Sequence, residues 1–203
     1  MKIGVDFDNT IVNYDRVFHK SAVELNLIPV DLEKSKLAVR DYLRDLDQND
    51  LWTDLQGFVY GEKMYEADIF DGFIDFLNFA SNKSISVVII SHKTKYPYAG
   101  KKYDLHKAAE RWILERLSSS NEDFKNSKNF FFLPTKEEKV NKIIEEECDY
   151  FIDDLPEIFK IENFPKSTRK ILFDPKSNYQ AKDNYAAVKN WQDLTSLLKE
   201  NAE

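Results

Sequence analysis

The sequence predicts an α/β fold: a Rossmann-like parallel sheet flanked by helices, carrying a small α-helical cap. Three observations predict it. Short apolar or aromatic runs alternate with amphipathic helical patterns, the rhythm of parallel strands joined by helical crossovers. The first gap in that rhythm is about seventy residues long, several times the ~12-residue minimum of a crossover, so an insertion sits there. A chain of 203 residues, 42% hydrophobic and 14% aromatic, is long enough for one sizeable core and a smaller lobe.

The first strand is the run Ile3 to Asp6, which leads straight into DFDNT at residues 6–10. Residues 15–70 read as the cap, with Val17, Ala22 and Leu25 and then Leu37, Tyr42, Leu43 and Leu46 at helical spacing. Within it, LWTDLQGFVYG at 51–61 carries aromatics, a glutamine and two glycines that interrupt the pattern, so a loop is expected. That loop packs the cap on the core or lies over a pocket; in the second case Trp52 and Gln56 would meet substrate. Residues 1–14 and 71–203 form the core, which the apolar face of Phe73, Phe76 and Leu77 re-enters.

The second strand spans Ile85 to Ser91 and runs into a basic segment containing Lys93, Lys95, Lys101 and Lys102. By default such a loop is solvated; facing a cleft, Lys93 would favour substrates with negative charge beyond a phosphate. A helix follows with Leu105, Ala109, Trp112 and Ile113 on one face, then a strand from Phe130 to Leu133. The next helix begins near Lys139 and carries Val140, Ile143 and Ile144, and Cys148 at its end reads as a buried hydrophobe. Strands at Tyr150 to Asp153 and Ile171 to Phe173 complete the pattern, with Leu155-Pro156-Glu157 opening a helix between them.

Chemistry concentrates at the strand ends. Asp6 and Asp8 are two residues apart in extended geometry, so their carboxylates share a face and repel unless one is protonated or a cation lies between them. Ligands of an open parallel sheet bind beyond the carboxyl ends of its strands. There this sequence places Asp6 and Asp8, then Ser91-His92-Lys93, then Lys136 and Lys139, and finally Asp153-Asp154. Carboxylates, a hydroxyl and an ammonium suit a divalent cation and a phosphate: hard oxygens for Mg²⁺, a hydroxyl and backbone amides for phosphoryl oxygens, lysine for charge balance.

This order of motifs resembles the haloacid dehalogenase-like (HAD) superfamily of phosphohydrolases, through DFDNT, VVIIS ending in Ser91, a lysine ahead of the fourth strand, and FIDD. The resemblance covers residues 1 to about 175, with the cap in that family's first insertion position. It implies a Mg²⁺-dependent phosphatase of a small phosphate monoester, a sugar phosphate or nucleotide, working through an aspartyl phosphate. Asp6 would be the nucleophile and Asp8 the acid and base. Ser91, His92, Phe7 and Thr10 would bind phosphate, and Asp6, Asp8 through its carbonyl, and Asp153 or Asp154 would hold Mg²⁺. Lys139 is the expected site lysine, by its spacing from FIDD and its place at a helix start, with Lys136 the alternative. A phosphotransferase or phosphomutase would use the same residues. A receiver-like phosphoacceptor is the rival class, but receivers keep their acidic pair and acceptor on different strands and carry no large insertion.

Other chemistries fit poorly. With Asp6 as position one of a calcium loop, Ile11 holds the glycine position and Val17 that of the terminal glutamate. The five glycines form neither a dinucleotide fingerprint nor a P-loop. A net charge of -7 argues against nucleic acid and anionic membranes as partners, leaving a small phosphorylated substrate. Cys148 is the only cysteine, and the N-terminus enters a strand without the basic and apolar prelude of a signal peptide, so a cytoplasmic location is expected.

Overall fold

A computed structural model describes residues 1–121, 124, 129–179 and 184–200. In chain order it contains β1 (Lys2–Val5), β2 (Val12–Asn13), α1 (Asp15–Glu24), α2 (Lys36–Asp45), α3 (Asn49–Gly61), β3 (Asp68–Ile69), α4 (Phe73–Asn82), β4 (Ser86–His92) and α5 (Leu105–Leu117). There follow β5 (Phe130–Leu133), α6 (Lys136–Glu145), β6 (Tyr150–Asp153), β7 (Arg169–Phe173), β8 (Ala186–Val188) and α7 (Trp191–Glu200). Six strands form one parallel sheet in the order β5-β4-β1-β6-β7-β8. The α/β class with a Rossmann-like parallel sheet is therefore what the chain adopts.

Side-chain alternation along the strands divides the interior. Ile3, Val5, Val87, Ile89, Ile152 and Ile171 face one layer, together with the apolar faces of α1, α4, α5 and α7. Val88, Ile90, Phe151 and Leu172 face the other, against Val140 and Ile143 of α6 and Cys148. Both faces are covered, as an all-parallel sheet requires. Gly4 lies where a Cβ would come within 2.6 Å of the Phe151 ring and 2.9 Å of Cys148 Sγ, so β1 crosses the second layer only with glycine there.

Helices α1 to α3 lie between β2 and β3, a two-stranded antiparallel ribbon pairing Val12 with Ile69 and Asn13 with Asp68. Phe18, Val39, Leu43, Trp52, Leu55 and Val59 of these helices pack in the same apolar cluster as the sheet.

Three local expectations are corrected. Residues 51–61 belong to the continuous helix α3, because both glycines meet a neighbour rather than break a turn: their Cβ positions would lie 2.9 Å from Pro97 and 2.3 Å from Tyr103. After β6 the chain makes only a short 3₁₀ turn, Ile158–Lys160, because the Asp153 carboxylate accepts from the Leu155 N–H at 2.9 Å and ends the strand in a side-chain turn. Ile144 is exposed, since α6 presents Lys139, Val140 and Ile143 inward. Strands β2, β3 and β8, two or three residues each, carry no pattern that sequence periodicity can register.

No helix among the described residues is long and apolar enough to cross a membrane.

Candidate active site

β1 is a central strand with β4 and β6 as its neighbours, so three adjacent strand ends deliver Asp6, Ser91 and Asp153 to one rim. It is also where the chain switches sides, β4 and β5 lying to one side of β1 and β6 to β8 to the other. The rim opens into a cavity of about 380 Å³ lined by Asp6, Asp8, Ser91, Lys93, Lys139 and Asp154 among others.

Lys139 reaches the rim from α6. Thr135 and Glu138 form a reciprocal capping box that fixes the start of the helix and turns Lys139 inward one turn later. Its Nζ donates to Asp6 Oδ1 at 2.5 Å and to Asp153 Oδ2 at 2.6 Å, and the residue is 1% exposed. Burial would lower the Lys139 pKa, but the Asp153 and Asp6 carboxylates override it and raise it. Lys136, although at the cavity mouth, is exposed and pairs with Glu157 at 2.7 Å. Of the two lysines, the structure brings only Lys139 onto the carboxylates.

Asp6, Asp153 and Asp154 each offer a carboxylate oxygen within 4.8 Å of the others. Three carboxylates face one ammonium. Burial, with the neighbouring carboxylates adding to it, pushes both Asp153 and Asp154 upward. A small, hard dication fits this donor set: all-oxygen ligands, an excess of negative charge and a confined space. The Asp8 side chain lies outside this set. It turns to Lys93 Nζ at 2.8 Å and to the Tyr14 hydroxyl at 2.5 Å. Burial raises the Asp8 pKa, yet Lys93 and Tyr14 outweigh it and hold the carboxyl below its usual range.

Ser91 Oγ is buried, lines the cavity and meets no hydrogen-bond partner among the described residues. A buried hydroxyl without a partner beside a carboxylate cluster is free to donate to a ligand. His92 also lines the cavity, its Nε2 within 3.0 Å of the Pro134 carbonyl.

Other expected site residues are placed differently. Thr10 is fully buried and absent from the cavity lining; the 7–12 turn, with Asn9 at φ 60° and the Phe7 carbonyl accepting from Ile11 and Val12, folds it inward, and its carbonyl accepts from Trp191 Nε1. The Phe7 ring packs edge-on against Trp112 and Phe132, so that position offers a ligand only its backbone. Lys93 is not a free cation for substrate: it is buried over the Tyr60 ring and spent on Asp8, with its N–H on the Leu133 carbonyl and its own carbonyl bonded to His106. Trp52 is buried against Phe18 and lines an adjoining cavity; Gln56 lines both.

Sequence reasoning missed Tyr14, Lys36 and Asn9. Lys36 Nζ sits over the rings of Tyr14, Phe18 and Tyr60 at 5.5 to 5.6 Å and donates to Asn9 Oδ1 at 2.9 Å. Asn9 Nδ2 in turn reaches Asp154 Oδ2 at 3.4 Å. No periodicity signals these contacts, because each joins side chains from separate elements or from opposite sides of the 7–12 turn.

Solved structures share this architecture over the whole chain. A HAD-superfamily hydrolase from Ehrlichia chaffeensis matches with a TM-score of 0.54 at 15% identity, over 100% of this chain and 97% of its own. A HAD family hydrolase from Deinococcus radiodurans R1, solved with bound phosphate and sodium, matches with a TM-score of 0.57 at 11% identity, over 99% and 96%. The fold is that of the HAD-superfamily hydrolases. A dehalogenase is also similar, with a TM-score of 0.57 at 11% identity, over 97% and 96%, so the HAD-like fold alone leaves the reaction open. No protein-family model and no curated relative matches the chain.

Proposed function

We propose that the chain is a Mg²⁺-dependent phosphatase that hydrolyses a small phosphate monoester, a sugar phosphate or nucleotide, through an aspartyl phosphate on Asp6. The observation that carries this reading is the site's imbalance: Asp6, Asp153 and Asp154 against Lys139, beside the orphaned Ser91 hydroxyl. A dication and a phosphoryl oxygen together complete it. The phosphate bound in the Deinococcus relative supports the same reading.

A free Asp6 oxygen attacks phosphorus and the bond from phosphorus to the ester oxygen breaks, with the leaving oxygen taking the Asp8 proton. Water then attacks the acyl phosphate, giving its proton to the Asp8 carboxylate, and the bond from phosphorus to Asp6 breaks. Ser91 Oγ donates to a phosphoryl oxygen, and Lys139 holds Asp6 in place and offsets its charge. Lys93 and Tyr14 stabilise the carboxylate form of Asp8 needed for the second step. A phosphate dianion arriving beside Asp8 raises the cost of that charge and favours the acid form needed for the first. Asp6, Asp153 or Asp154 and the Asp8 carbonyl would hold Mg²⁺, which would supply the charge neutralisation that lets an anion approach a dianion.

The test is phosphate release from a panel of sugar phosphates, nucleotides and p-nitrophenyl phosphate. Release should require Mg²⁺, stop in EDTA and return on adding Mg²⁺; full activity in EDTA overturns the metal assignment. Dehalogenase is the second reading, favoured by the similar dehalogenase structure. Halide release from a 2-haloacid in EDTA, without phosphate release, would select it.

A further inference from the structure

Beside the catalytic cavity lies a second one of about 420 Å³, and the two share Asn9, Gln56, Asp154 and Leu155 in their walls. One wall is a stripe of cations on α2, Lys36, Arg40 and Arg44, at four-residue spacing on one face and all lining this cavity. Three like charges at that spacing repel one another along the helix and run against the chain's net charge of -7, so they call for a counter-charge. The protein supplies little of it. Arg40 pairs through Nε with Asp41 at 2.8 Å, which leaves the outer edge of its guanidinium free of carboxylates among the described residues. No described carboxylate forms an ion pair with Lys36 or Arg44, but Lys36 lies in the field of Asp8 and Asp154, so the charge left without a full counter-charge is that of Arg40 and Arg44. The acids that line the same cavity are engaged elsewhere: Asp15 pairs with Lys176 at 3.0 Å, Asp174 accepts from the Asn178 and Tyr179 N–H groups, and Asp154 belongs to the carboxylate cluster. Trp52, Phe70 and Phe173 give this cavity apolar walls.

We propose that this second cavity holds the leaving group of the substrate, and that the leaving group carries a second anion, bound by Arg40 and Arg44. The proposal rests on the phosphatase reading and narrows it to phosphate esters with negative charge at both ends. Lys36, hydrogen-bonded to Asn9 of the catalytic loop, marks the inner end of the stripe. Arg44 lies two helical turns further, about 12 Å along α2 at 1.5 Å per residue. The test esters take a skeleton of about six carbons, of the same order as this stripe. Carboxylate and phosphate share the chemistry that a guanidinium fork recognises.

Three matched esters separate the outcomes: hexane-1,6-diol monophosphate, hexane-1,6-diol bisphosphate and 6-phosphooxyhexanoate, which differ only at the far end. At least one anionic ester should exceed the neutral one about tenfold or more in kcat/KM, and which one does identifies the second anion. Arg40→Gln and Arg44→Gln should each cut that ratio about fivefold to tenfold, and added salt should lower it as well. Equal kcat/KM for all three esters overturns the proposal, as does a ratio that survives both substitutions. Calorimetric titration of the same esters in EDTA reads the preference without turnover. Hydrolysis without the preference defeats this inference alone; the preference in binding, with no ester hydrolysed, defeats the phosphatase reading alone.

Discussion

Lys139 and Lys136 lie three residues apart in the first turn and a half of α6, yet one is buried on two carboxylates and the other salt-bridges Glu157 in solvent. Lys139→Ala should lower kcat by about 100-fold to 1,000-fold, the range for deleting a preorganised electrostatic partner. Lys136→Ala should change it less than about tenfold, in keeping with an exposed pair. Steady-state kinetics on both variants, with circular dichroism to confirm folding, decides; the reverse ranking would move the role to Lys136. Asp8 is separated from Asp6 by its leaving-group dependence. Asp8→Asn should slow an alkyl phosphate by about 100-fold or more while largely sparing the first step for p-nitrophenyl phosphate, whose leaving group needs little protonation. A rapid-quench assay reads that step, and equal losses with both esters would remove Asp8 as the acid. That DFDNT and FIDD hold the carboxylates was legible from strand-end placement alone. That Asp8 is paired with Lys93 and Tyr14 was not, because one contact spans 85 residues and the other depends on how the 7–12 turn folds back before α1.

At the scale of elements, α3 carries the difference between pattern and structure. Its two glycines read as interruptions, whereas they let the helix approach Pro97 and Tyr103 in the segment after β4. On an isolated helix Gly→Ala gains roughly 0.5–1 kcal/mol. At Gly61 a Cβ would sit 2.3 Å from Tyr103 Cβ, an atom that cannot move without its backbone, and overpacking costs typically about 1–3 kcal/mol. The clash wins. Gly61→Ala should lower the thermal midpoint despite its better helix propensity, and differential scanning calorimetry checks it; a raised midpoint would mean that α3 is not seated against Tyr103.

Across the whole molecule, the carboxylate cluster couples stability to metal and pH. The folded-state pKa values of Asp153 and Asp154 lie above their unfolded values. Their contribution to stability is therefore fully present below the unfolded pKa of about 3.9 and is lost as pH rises through the folded values. In EDTA, Asp154→Asn should be more stable than the parent at pH 8, with the difference shrinking toward pH 4. On the proposed metal reading, Mg²⁺ at a hundredfold excess over its Kd should stabilise the folded parent by about 2.7 kcal/mol, whereas Asp154→Asn should gain much less. Thermal denaturation with and without Mg²⁺ tests both. A parent more stable than Asp154→Asn at pH 8 without metal would mean that the cluster is not under strain from its own charge.

By itself the sequence determined the alternation of strand and helix, the place of the insertion and the residues at each strand end, because these follow from local periodicity and from which side chains a strand's last residues carry. It also determined Asp6, Ser91 and the FIDD aspartates as one set, with a lysine ahead of FIDD, since a parallel sheet sends all its strand ends to one rim. Only the tertiary structure decided the rest. It chose between the two lysines, folded Thr10 inward, turned Lys93 onto Asp8 and set Lys36 of α2 against Asn9 of the 7–12 turn. Each of these turns on how a helix lies against the sheet or on which way a loop turns, and no spacing along the chain encodes a contact between segments that meet only after folding.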